Sequence, residues 1–119
     1  MKFKNMFSPI QIGPMTVKNR FVVPPMGNNF ANSDGTWSDE SVAYYGERAK
    51  GQFGLITIEA TVVHKGAKGG PKKPCLYDDN SIESLKKITD ACHEEGAKVS
   101  IQLQNAGPEG NAKNAGAPI

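Results

Sequence analysis

The 119 residues predict an α/β fold in which parallel strands alternate with helices, a pattern of which the (β/α)8 TIM barrel is one closed form. Two observations carry that expectation. β-branched and aromatic runs at Phe21-Val22-Val23, Leu55-Ile56-Thr57-Ile58 and Val99-Ser100-Ile101 suit strands covered on both faces, as in parallel sheets. Between them lie two stretches with apolar residues at helical spacing, and strands separated by helices pair in parallel through crossovers. A complete barrel takes about 250 residues, so the chain is expected to supply under half of one, a piece of a larger protein.

The chain opens with two short extended runs around Gly13-Pro14. They predict a hairpin with Ile10, Ile12, Met15 and Val17 turned inward, placed below the first strand. That strand spans residues 20–23 and ends at Pro24-Pro25, because proline has no N–H to give a neighbour. A polar loop turns at Asp34-Gly35. Ser38 then caps a helix whose first turn carries Asp39 and Glu40, both favourable at a positive helix end. Val42, Tyr45 and Ala49 mark its buried face, and Gly51 stops it. The second strand spans residues 55–59.

A link rich in Gly, Pro and Lys follows over residues 61–79. Asn80, three residues before Glu83, resembles a capping box for the second helix. Its stripe is Ile82, Leu85, Ile88 and Cys92, and Gly96 ends it. The third strand spans residues 98–103, and the tail from about residue 104 reads as a loop cut off before its next element.

Composition narrows the function classes. A net charge of +2 implies no nucleic-acid or membrane partner. No apolar run approaches the about 18 residues a membrane span needs, and the start lacks a signal peptide's apolar core. Cys75 and Cys92 are far apart, outside any CxxC, and read as free thiols of a cytoplasmic protein, Cys92 in the core and Cys75 in a loop. His64 and His93 are too isolated for a metal site.

Seven short motifs occur in one order: Phe7-Ser8-Pro9-Ile10, Lys18-Asn19-Arg20, Pro24-Pro25-Met26-Gly27, Tyr44-Tyr45 through Arg48-Ala49, Gly54-Leu55-Ile56, Glu59-Ala60 and Gln102-Leu103. Together they resemble the N-terminal part of the old yellow enzyme family, the FMN-dependent ene-reductases, and most closely its branch of 2-enoate and 2,4-dienoyl-CoA reductases. The resemblance implies a single FMN-binding (β/α)8 domain of which residues 1–119 are the N-terminal portion. It also implies hydride transfer from NAD(P)H through flavin to an activated alkene, with an enoate, enone or enoyl-CoA as substrate.

By the same resemblance, three strand ends contact FMN. Pro24, Pro25, Met26 and Gly27 lie along the flavin ring, offering apolar, polarisable surface. Taken alone they read rather as an ordinary strand-ending turn, and only the other motifs favour flavin. Ala60, after Glu59 at the end of the second strand, lets the ring edge approach, although alone it is a generic small residue. Gln102 both donates and accepts, matching the alternating donors and acceptors of the flavin pyrimidine. Buried without a partner it would cost about 1–3 kcal/mol, and a neighbouring backbone group is its alternative partner.

Two departures stand out. Many family members carry Thr, Cys or Ala where this chain has Gly27, and a Thr or Cys there tunes the flavin's potential. Many read Gln-Leu-x-His-x-Gly where this chain has Gln102-Leu103-Gln104-Asn105-Ala106-Gly107, so the histidine's charge is lost. The family's substrate anchors, proton-donating tyrosine and phosphate loops belong to later strands. So does any iron–sulfur cluster, and no catalytic residue is expected within the chain.

Lys65, Lys68, Lys72 and Lys73 with His64 make a basic loop after the second strand. It either attracts an anionic substrate or is simply a solvated loop, the plainer reading. Glu59 ends a buried strand and must find a donor or water. The alternative to an enzyme is a non-catalytic half-barrel module whose bare sheet edges pair with another chain, either a missing C-terminal half or a second copy.

Overall fold

The computed structural model describes residues 2–110. A hairpin of β1 (Ile10–Ile12) and β2 (Met15–Val17) precedes β3 (Val22–Val23), α1 (Asp39–Lys50), β4 (Leu55–Val62), α2 (Ile82–Glu94) and β5 (Lys98–Gln104). The expected order of hairpin, three strands and two helices is present. β3, β4 and β5 form one sheet in that order, with both pairings parallel. Part of the expected terminal loop, residues 111–119, lies outside the described residues.

One sheet face is covered and the other is not. Val23, Ile56 and Ile58 are buried with Tyr45 and Ala49 of α1 and with Ile88 and Cys92 of α2. Val99 and Ile101 pack onto the same cluster. The opposite face carries Val22, which is 48% exposed, so the expectation of coverage on both sides is corrected. Both helices lie on one face, and no described element lies on the other.

Helix α1 forms as its sequence predicts. Ser38 Oγ accepts the Ser41 N–H at 3.2 Å, and Gly51 closes the helix. Helix α2 differs at its start. A 3₁₀ turn (Asp79–Ser81) comes first, and the Asp78 carboxylate accepts the Asn80 N–H at 3.0 Å. That bond caps the 3₁₀ turn; α2 itself has Ser81 at its N-cap position with no side-chain bond, so the expected capping box at Asn80 does not form, and Ile82, at the junction, is 59% exposed rather than buried. Gly96, at φ +78°, ends the helix in a left-handed conformation that costs glycine little.

The hairpin sits at the N-terminal end of the strands, as expected. Asn19 Nδ2 donates to Gln52 O at 2.7 Å, and Lys18 Nζ donates to Glu95 O beyond α2 at 2.6 Å. Val17 is buried beside Gly54, where an added Cβ would meet Val17 Cγ1 at 2.7 Å and Asn19 Oδ1 at 2.6 Å. Glycine is required at that approach. Ile12 is exposed, not inward, because it lies at the hairpin tip beside the turn, paired with Met15.

Two strands run longer than predicted. β4 continues through Ala60 to Val62, and β5 includes Gln104. β3 is shorter, with Arg20 and Phe21 outside the strand. The basic link after β4 is not simply solvated, since Lys68 is buried with its ammonium on Ser33 O at 3.0 Å. Cys75 is buried and bridges to Val62, Cys92 lies in the core, and both are free thiols. No described helix is long and apolar enough to cross a membrane.

Candidate functional site at the strand ends

Parallel pairing brings the C-terminal ends of β3, β4 and β5 to one edge of the sheet. β3 stops at Val23 because Pro24 and Pro25 cannot continue the ladder. The chain then passes through Pro24, Met26 and Gly27, all exposed, with Pro25 half-buried. It is fastened at Asn28, whose N–H donates to Glu59 Oε2 at 3.2 Å. Asn28 Oδ1 accepts the Phe30 N–H at 2.9 Å. Its Nδ2 is buried with no partner among the described residues.

Glu59 can reach that turn because β4 is irregular. Ile58 pairs with Ile101 and Thr61 with Leu103, so three steps along β4 match two along β5. The extra residue is a β-bulge, which breaks alternation and re-aims side chains. Ile58 and Glu59, consecutive in the strand, are both fully buried. Glu59 meets Tyr45 of α1 through two contacts. The Tyr45 hydroxyl accepts the Glu59 N–H at 3.0 Å and donates to Glu59 Oε1 at 3.5 Å.

Burial raises the Glu59 pKa above its ordinary value, opposed by the Asn28 N–H, the charge of Lys73 and the Tyr45 hydroxyl. Burial likewise raises that of Tyr45, so its hydroxyl stays a proton donor at neutral pH. The group is a buried carboxylate with hydrogen bonds from a helix and from the proline segment.

Gln102 faces the other way. Ser100 and Thr57 join hydroxyls at 2.8 Å on the face opposite the helices, and Gln102 follows Ser100 by two residues, on the same face. It is exposed, so the burial cost expected for an unpaired amide does not arise. Ala60, half-buried, lies within the bulge opposite Gln102, inside β4 rather than beyond its end. Asn105 spends its side chain locally, with Oδ1 accepting the Gly107 N–H at 2.9 Å.

The six expected contact residues thus share one edge of the sheet. The Asn28–Glu59 bond ties the proline segment to β4, and the bulge sets Ala60 against Gln102. Sequence reasoning gave Asn28 no role, put Tyr45 on a buried helix face and Lys73 in the basic loop, and joined none of them to Glu59. The signal for them was Glu59 itself, a buried acid that had to have donors. The 480 Å³ concavity near Trp37, between the starts of α1 and α2, is lined by none of the six.

The donor set suits a flat, amphipathic ring. Pro24, Pro25 and Met26 present apolar atoms, Gln102 presents an amide with both polarities, and Asn28 Nδ2 is a buried donor without a partner.

The model of the NADH:flavin oxidoreductase / NADH oxidase family matches residues 5–117. Similar solved structures include a 2-naphthoyl-CoA reductase in complex with 2-naphthoyl-CoA. It is 33% identical with a TM-score of 0.89, over 96% of this chain and 17% of that one. The old yellow enzyme of a Pichia species is 34% identical with a TM-score of 0.88, over 96% and 30%. An old yellow enzyme homologue from Zymomonas mobilis is 31% identical with a TM-score of 0.87, over 95% and 31%. The chain therefore spans under a third of the length of each.

Proposed function

Because this chain belongs to the NADH:flavin oxidoreductase / NADH oxidase family, we propose that it forms the N-terminal part of one FMN-binding (β/α)8 domain. The whole protein would be an NAD(P)H-dependent reductase of activated alkenes. The observation that carries this reading is the shared strand-end edge, where an apolar proline segment, a bulged β4 and the exposed amide of Gln102 meet on a parallel sheet. Ligands of such sheets bind outside the carboxyl ends of the strands.

Bound FMN supplies the two-electron relay between nicotinamide and alkene. The chain's own residues hold and orient it. Pro24, Pro25 and Met26 give the ring an apolar surface that excludes water, Ala60 leaves room for its edge, and Gln102 fixes its pyrimidine side through donor and acceptor. Glu59 keeps the proline segment in place through the Asn28 N–H. Substrate anchors, proton donor and phosphate-binding loops are assigned to later strands of the barrel. Enoates, enones and enoyl-CoA thioesters are the substrate class, and a cytoplasmic location belongs to the same proposal.

Purified full-length protein is expected to carry stoichiometric FMN and to oxidise NAD(P)H when given an enone. A colourless preparation that ignores added FMN would sink the proposal. A polypeptide of residues 1–119 is expected to retain little or no flavin, because it lacks the phosphate loops.

A second reading rests on the uncovered sheet face and its two bare edge strands, β3 and β5. On that reading the chain is a non-catalytic module completed by another chain. Sedimentation of the 1–119 polypeptide separates the two, since a discrete, stable oligomer without flavin favours the module.

A further inference from the structure

Gly27 leaves a gap in the strand-end wall, and a distant segment fills it. A side-chain carbon added at Gly27 would come within 3.2 Å of Lys73 Nζ and 4.0 Å of Glu59 Oε2. An ammonium therefore stands 3.2 Å from where a side chain at position 27 would begin.

The placement of Lys73 is fixed by its neighbours in the chain. Pro74 and Cys75 are buried. Val62 N–H donates to Pro74 O at 2.9 Å, Cys75 N–H to Gly35 O at 2.9 Å, and Leu76 N–H to Val62 O at 2.8 Å. These bonds bring the loop back across the end of β4. The half-buried Lys73 and the fully buried carboxylate of Glu59 then both border the Gly27 position, and the Lys73 charge favours the ionised form of Glu59. A buried carboxylate needs such a partner. Glu59 thus holds the Asn28 N–H and sets its carboxylate on the side of Gly27 where the Lys73 ammonium stands.

Resting on the flavin reading above, we propose that Lys73 is a positioning cation of the flavin wall, placed beside Gly27 by the returning loop in place of a residue-27 side chain. Its charge favours the reduced cofactor, which carries more negative charge than the oxidised form. A unit charge in partly desolvated surroundings acts over several ångströms, so direct contact with the ring is unnecessary.

The test uses full-length holoenzyme, with the flavin midpoint potential followed by absorbance during reductive titration and FMN affinity followed by fluorescence. Lys73→Met is expected to reduce the preference for reduced over oxidised flavin about tenfold, a potential lower by about 30 mV for a two-electron couple. Lys73→Arg is expected to keep the potential of the parent. Lys73→Gln serves as a second neutral variant where the Met variant folds poorly, with melting temperature as the check. An unchanged potential in FMN-loaded Lys73→Met or Lys73→Gln overturns the inference and leaves the flavin reading standing. An equal drop in Lys73→Arg also overturns it, since charge is then not the cause. A parent protein that takes up no FMN overturns both.

Discussion

The two faces of the β3-β4-β5 sheet are built from the same strands and have opposite fates. On one, Ile56 and Ile58 of β4 are sealed by Tyr45, Ile88 and Cys92. On the other, Val22 and the Thr57–Ser100 hydroxyl pair lie open, and Gln102 is exposed near the end of β5. The covered face is a finished core. The open face is a surface of mixed polarity that no element among residues 2–110 covers, and in the proposed barrel it would face the interior. Core burial thus belongs to one face, and the proposed ligand contact to the strand ends of the other. Glu59 is the crossing point, since the bulge turns it toward the helices while its carboxylate holds the segment that lines the open edge.

That division can be broken experimentally, beginning on the sealed face. Ile88→Ala is expected to lower unfolding free energy by about 2–5 kcal/mol in urea denaturation, because a buried aliphatic side chain leaves a cavity. Cys92, whose thiol pKa burial pushes up to about 11, should stay unreactive toward thiol reagents in the folded protein. At the crossing point, Glu59→Ala strands the Asn28 N–H and is expected to cost about 1–3 kcal/mol.

Glu59 also sets a pH dependence. Its pKa is raised on folding from an ordinary 4.5, so the folded state binds its proton more tightly than the unfolded chain. The Glu59 contribution is then most favourable below pH 4.5. It declines as pH rises through the raised folded value and is flat above. Glu59→Gln should remove that slope, and Lys73→Met should extend it to higher pH, both read from urea midpoints across pH.

The open face responds differently according to what covers it. Val22→Ala removes two methyl-sized groups and is expected to cost roughly 1.5 kcal/mol where the whole barrel closes over it, at about 0.8 kcal/mol per group. A near-zero cost in full-length protein would show that the face stays open. Gln102→Ala should change stability least, within about 0.5 kcal/mol. It should weaken FMN binding about tenfold in a fluorescence titration, the loss of one to two hydrogen bonds. A variant with unchanged FMN affinity would remove Gln102 from the site.

Much of this architecture was legible in the residues. Ser38, Asp39 and the Tyr45–Ala49 spacing define α1, and Pro24-Pro25 marks the end of β3. The bulge was not legible, because nothing in Ile58-Glu59-Ala60-Thr61 announces an extra residue against β5. The position of Ala60 inside β4 and the inward turn of Glu59 follow from that bulge. The start of α2 was misplaced because Asp78 and Asn80 compete for the same capping role, and the backbone chose a 3₁₀ turn. The basic loop looked solvated, since a run of lysines says nothing about Pro74 and Cys75 pulling it inward.

The sequence by itself determined the alternation of strands and helices, the helix face that seeks the sheet, and the donor-poor corner at Pro24 and Pro25. These are local properties of side-chain periodicity and backbone chemistry, and they act within a few residues. Only the tertiary structure decided that Glu59 meets Asn28 and Tyr45 and that Lys73 stands with it beside Gly27. Those residues are far apart along the chain, and a buried carboxylate assembles its donors and cation only once parallel pairing and the returning loop have closed around it.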